Sequence, residues 1–172
     1  MVPAGGDAYM RVQVVRDGLA RNHLDLHTGQ VSALAGRAAA LGAVRVFEDS
    51  GRVVFRSPAG LPFCVVPWAG EAVRPGPAGA SLVDQMCLDI PVAGFDAEAD
   101  FWAALTGWER RPGSLAEFDF LIRPDGMPLR LLLQRTRGSA VQYALGSGVR
   151  RRGRRGGAAR AVGGVGGAAG AG

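Results

Sequence analysis

The chain has 172 residues, 48% of them hydrophobic, which is enough for one ordinary domain or two small ones with a real core. Its net charge of +5 misleads, because seven arginines and no acid lie from Arg137 onward, leaving 13 basic and 15 acidic residues before that point. The body is slightly acidic, so a nucleic-acid-binding surface on the folded part loses its main support.

Asp7, Arg11, Arg16 and Asp17 interrupt the N-terminal stretch, which therefore has no signal-peptide hydrophobic core. Outside the glycine-alanine tail no apolar run reaches membrane-spanning length, so the expectation is a cytoplasmic protein with no membrane partner. Tyr9 to Val15 is strand-like. Pro3, Gly5 and Gln13 reappear as Pro124, Gly126 and Gln134, a weak repeat with an offset of 121 residues.

From His23 to Pro67 the pattern is β-α-β-β-β. His23-Leu24-Asp25-Leu26 alternates apolar and polar residues with the period of a half-buried strand. Val31, Leu34, Ala35, Ala38 and Leu41 then recur at helical spacing, with Thr28 as the expected N-cap and Gly42 as the stop. Strands are expected at Val44–Phe47, Arg52–Arg56 and Phe63–Pro67. They are separated by the turns Asp49-Ser50-Gly51 and Ser57-Pro58-Ala59-Gly60.

Pro75 and Pro77 mark 69–82 as a linker. A second module follows: a strand at Gln85–Ile90, a helix capped by Asp96 and ending near Gly107, and strands at Glu117–Ile122 and Leu129–Gln134 around the turn Arg123-Pro124-Asp125-Gly126-Met127. Phe101, Leu105 and Trp108 share one face of that helix with Trp102 beside it, which reads as core packed on a sheet. Cys64 and Cys87 lie inside strands among apolar neighbours and read as buried free thiols.

After Arg137 the chain turns to arginine, glycine and alanine. The expectation is a disordered tail over 137–172, because so little large apolar surface cannot offset chain entropy. Lysine is absent from the whole chain, which points to a GC-rich gene, and GC-rich DNA read out of frame yields this composition. A frameshift accounts for the tail better than a selected nucleic-acid arm does. Any nucleic-acid contact belongs to the tail alone.

The first module resembles the repeating unit of the vicinal oxygen chelate superfamily, the glyoxalase-like proteins. The resemblance rests on the histidine-led strand, the Ala40-Leu41-Gly42-Ala43 helix end, and Ser57-Pro58-Ala59-Gly60-Leu61-Pro62-Phe63-Cys64 in place of the family's Asp-Pro-Asp-Gly strand-turn-strand pattern. Phe95-Asp-Ala-Glu-Ala-Asp-Phe-Trp-Ala-Ala-Leu-Thr-Gly-Trp108 looks like the opening helix of actinobacterial glyoxalase-like proteins. The implied fold is α+β, with βαβββ modules and a curved mixed sheet around a small-molecule cleft. In the family pattern the FWAALTGW-type half comes first. Here residues 1–68 resemble a closing half and 83–136 an opening half, which suits a fragment of a two-domain protein or one permuted domain. Pairing of modules also offers a route to self-association.

The resemblance further implies a divalent metal, held at the first and last strands of each module. The matching positions are His23, Cys64 and Gln85, and only His23 keeps a ligand of the family type. One imidazole, one thiol and one amide do not suit Mg, Mn or Fe, so the expectation is a protein that binds a small organic ligand without a complete metal site. The rival is a metal-dependent lyase, isomerase or dioxygenase. His23 also reads as an ordinary strand histidine, and His27 as a solvated one.

Overall fold

The computed structural model describes residues 5–12, 14, 22–73, 75–76 and 81–149. Two helices and two mixed sheets carry the fold. In the first module β1 (Leu24–Thr28), α1 (Val31–Ala40), β2 (Val44–Asp49), β3 (Arg52–Arg56) and β4 (Pro62–Pro67) make a sheet of order β1-β4-β3-β2. In the second, β5 (Ser81–Pro91), a 3-10 turn at Val92–Gly94, α2 (Phe95–Thr106), β6 (Arg110–Pro112), β7 (Phe118–Leu121), β8 (Arg130–Thr136) and β9 (Gln142–Val149) make a sheet of order β6-β7-β8-β5-β9. Without β9, the second order repeats the first. In each module the opening strand pairs in parallel with the closing one, β1 with β4 and β5 with β8, and the remaining pairs are antiparallel.

The helix ends follow from local chemistry. Gly42 has φ of 98°, and the amides of Gly42 and Ala43 bond back to the carbonyls of Ala39 and Ala38, satisfying groups that the end of α1 would otherwise orphan. Gly107 at φ 72° ends α2 in the same region of backbone space. Thr28 is not the cap of α1. It closes β1, and its hydroxyl accepts from the Gln30 amide while Gln30 occupies the cap position. Asp96 likewise lies in the first turn of a helix that begins at Phe95.

Alternation decides which face is buried. Val53 and Phe55 of β3, Phe63 and Val65 of β4, and Met86, Leu88 and Ile90 of β5 all enter one core with Ala35 and Ala38 of α1 and Phe101, Trp102 and Leu105 of α2. Aromatic contacts tie the modules together: Phe63 lies 5.1 Å from Trp102 and 5.9 Å from Phe101, ring centre to ring centre. Glu98, fully buried on α2, completes the link. Its carboxylate accepts from the Trp102 indole at 2.7 Å and from the Ala59 amide, in the β3–β4 turn, at 2.8 Å.

Three further expectations need correction. Residues 142–149 lie in the stretch expected to be disordered, yet they form β9 against β5 from Ser81↔Val149 to Asp89↔Gln142. Strand pairing satisfies backbone groups and needs no large side chains, so composition was a poor guide there; residues 150–172 lie outside the described residues. Ser81 and Leu82, expected in the linker, already belong to β5. The described part of Tyr9–Val15 joins no strand. Local bonds hold this neighbourhood instead: Asp7 accepts from the Ala72 and Val73 amides, and the Tyr9 hydroxyl donates to the Val83 carbonyl.

A candidate soft-ligand site on the open face of the first sheet

The face of each sheet turned away from the helices carries the polar chemistry. Parallel pairing puts Asp25 beside Cys64, and antiparallel pairing puts Val54 beside Cys64, so these three share one face. His23 precedes β1 by one residue and falls on the same face as Asp25 by the two-residue period. His23 Nε2 is 3.0 Å from Cys64 Sγ and 3.2 Å from Asp25 Oδ1. One atom from each of His23, Asp25 and Cys64 lies within 4.8 Å of the other two.

That geometry limits the chemistry. A proton relay needs one ring nitrogen on the nucleophile and the other on the acid, but here a single nitrogen, Nε2, faces both partners. The three groups converge on one point. The thiol is a poor nucleophile as it stands: burial, and then the neighbouring Asp25 charge, push the Cys64 pKa up to about 11. Asp25 moves the other way, held below the ordinary carboxylate range by its hydrogen bond with His23, against the opposing effect of burial.

Of the residues singled out from the sequence, His23 and Cys64 are brought together, although 41 positions apart. Gln85 lies on β5 of the other sheet, where its side-chain oxygen accepts from Arg130 Nε at 3.2 Å and from Nη2 at 2.7 Å. His27 is exposed, as expected, and lies 3.2 Å from Glu71. Asp25 was missed. Its signal was present in His23-Leu24-Asp25, since residues two apart in a strand share a face. Cys87 sits on the open face of the second sheet, 3.5 Å from Asp89 Oδ1, and burial, then the Asp89 charge, push its pKa up to about 12.

A groove of about 320 Å³ lies between α1 and the β2–β3 hairpin, lined by Val31, Ala35, Gly36, Arg45, Glu48 and Val53 among others. It opens on the helix side of the sheet, the side of Val53, and so is not the mouth of the His23 cluster. Its charged pair, Arg45 and Glu48, is closed on itself at 2.7 Å.

The repeated order of strands, opening strand beside closing strand in each module, defines an α+β protein built from paired βαβββ-type units. The family model for the glyoxalase-like domain matches residues 1–66 and 85–166. The chain therefore belongs to the glyoxalase-like family, within the vicinal oxygen chelate superfamily. Comparison with curated protein sequences returns no match. Among solved structures it is similar to a variant of 4-hydroxymandelate synthase from Streptomyces coelicolor, at 15% identity and a TM-score of 0.46 over 66% of this chain and 39% of that one. It is also similar to the fosfomycin resistance protein FosX from Listeria monocytogenes complexed with Mn(II) and sulfate, at 17% identity, TM-score 0.38, and 70% and 91% coverage. A third is the bleomycin resistance determinant encoded on transposon Tn5, at 17%, 0.38, and 68% and 98%. The chain spans well under half the length of the first of these.

Proposed function

We propose that the chain binds a small organic molecule on the open faces of its sheets, with His23, Asp25 and Cys64 as a polar anchor and without a hard divalent metal. The donor set carries this reading. Magnesium and manganese favour several carboxylate, carbonyl or water oxygens, whereas this cluster supplies one imidazole, one carboxylate and one thiol held protonated. A metal of that kind does not fit.

Asp25 supports a second reading. Imidazole, carboxylate and thiolate make three protein ligands, the number usual at catalytic zinc, and zinc ionises a thiol on binding. Held by His23, Asp25 and Cys64, it would supply a Lewis acid for an oxygen of the ligand. Metal analysis of the purified protein separates the readings. The binding-protein reading expects no stoichiometric manganese, iron or nickel. Near-stoichiometric content of one of these, lost in His23→Ala, would overturn it. Stoichiometric zinc, lost in both His23→Ala and Asp25→Ala, would establish the second.

A further inference from the structure

Among the half-buried arginines of the second module, Arg110 and Arg135 contrast with Arg130. Arg110 meets Asp96, Asp100 and Asp119 at 2.6 to 2.9 Å, and Arg135 meets Asp119 at 3.1 Å. Each also lies over the Phe95 ring. These guanidiniums are neutralised and their role is structural. Arg130 differs. Its partner is the neutral side-chain oxygen of Gln85, and among the described residues no carboxylate forms an ion pair with it. Gln85 therefore fixes the direction of the guanidinium without cancelling its charge, and a half-buried cation left in that state favours an anion beside it.

The surroundings give the rest of the ligand. Gln85 pairs with Arg130, and Cys87 pairs with Leu132 one step along the same face. Phe120 of β7 lies directly opposite Leu132 and so belongs to that face too. Leu132 and Phe120 are both half-buried, an apolar platform about 7 Å along the strand from the guanidinium. We propose that Arg130, oriented by Gln85, anchors the oxyanion of a small organic acid, a carboxylate or phosphonate whose apolar body lies on Leu132 and Phe120. This rests on the ligand-binding reading above and names the ligand's charge.

The test titrates the full-length chain with benzoate, phenylphosphonate and the neutral benzamide, following amide resonances by two-dimensional NMR. Benzoate or phenylphosphonate should move resonances of β5, β7 and β8, and benzamide should bind about tenfold or more weakly, since charge-assisted bonds to the guanidinium supply the difference. Arg130→Gln should abolish that preference, and Arg130→Lys should keep part of it. Thermal unfolding confirms that each variant is folded. If Arg130→Gln unfolds the chain, Gln85→Leu is used, and the acid should then lose its advantage severalfold. Equal binding of acid and amide, unchanged in Arg130→Gln, would overturn the anion anchor and leave the ligand-binding reading standing. Binding of none of the three would overturn both.

Discussion

Glu98→Ala tests whether one buried carboxylate staples the two modules together. Glu98 has no exposed surface, and its two oxygens take the Trp102 indole N–H at 2.7 Å and the Ala59 amide at 2.8 Å. Removing the carboxylate strands two donors, each costing about 1–3 kcal/mol when buried without a partner. It also leaves a cavity worth about 1 kcal/mol more. The carboxylate's own desolvation cost is recovered, which offsets part of that sum, so the expected loss is about 3–4 kcal/mol. Glu98→Gln should lose about 2 kcal/mol, because an amide oxygen can serve one donor while its NH2 meets the other. The assay is urea unfolding at neutral pH, followed by tryptophan fluorescence and circular dichroism to check for a single transition. A cycle with Trp102→Phe should show coupling of about 1 kcal/mol or more. Because Ala59 sits in the turn that leads into β4, alkylation of Cys64 should quicken in the Glu98 variants. A loss under about 1 kcal/mol for Glu98→Ala, with no coupling to Trp102, would refute the staple.

Alkaline stability should respond to both thiols. An unfolded cysteine ionises near pH 9, whereas Cys64 holds its proton to about 11 and Cys87 to about 12. Unfolding in that interval therefore releases protons. Stability is full below about pH 8.5 and falls through the window by up to about 1.4 kcal/mol per pH unit per thiol. Cys87→Ala should flatten the slope measured by denaturant titration between pH 8 and 11, and an unchanged slope would count against a buried thiol. Ending the chain after Thr136 removes β9, including the Tyr143 hydroxyl bond to the Pro62 carbonyl. Loss of the half-buried Tyr143 side chain alone should cost about 2 kcal/mol, and a truncated chain as stable as the original would show that β9 contributes nothing.

Much of this architecture was legible because its signals are local. Alternation in Leu24–Leu26 and Arg52–Arg56, helical spacing from Val31 to Leu41, and glycines at 42, 60 and 107 are each properties of a few neighbouring residues. The meeting of His23 and Cys64 was reachable only through the family resemblance, since nothing within 41 residues of sequence encodes a parallel pairing. Three features escaped. Asp25 was read as an ordinary polar position of a strand. The role of Glu98 escaped because burial by a turn from the other module is a tertiary fact. β9 was hidden by composition, since its pairing with the distant β5 is a matter of backbone hydrogen bonds that composition does not record. The repeat at an offset of 121 rests on Pro3 and Gln13, which lie outside the described residues, and the repeat seen in the structure is in strand order rather than in residue identity.

The dependence of the first sheet on α2 has a consequence during synthesis. Every strand of that sheet lies between Leu24 and Pro67, so its ladder can be complete before β5 leaves the ribosome. Its inner face cannot. Phe63, fully buried in the finished protein, packs against Phe101 and Trp102, and these emerge only with α2 at Phe95–Thr106. At about 5–20 residues per second, the interval from Pro67 to Thr106 lasts roughly 2–8 s. For that time a finished sheet displays an aromatic face that α1 alone helps to cover. A nascent chain stalled between those two positions should recruit chaperones, and one extended past Thr106 should release them.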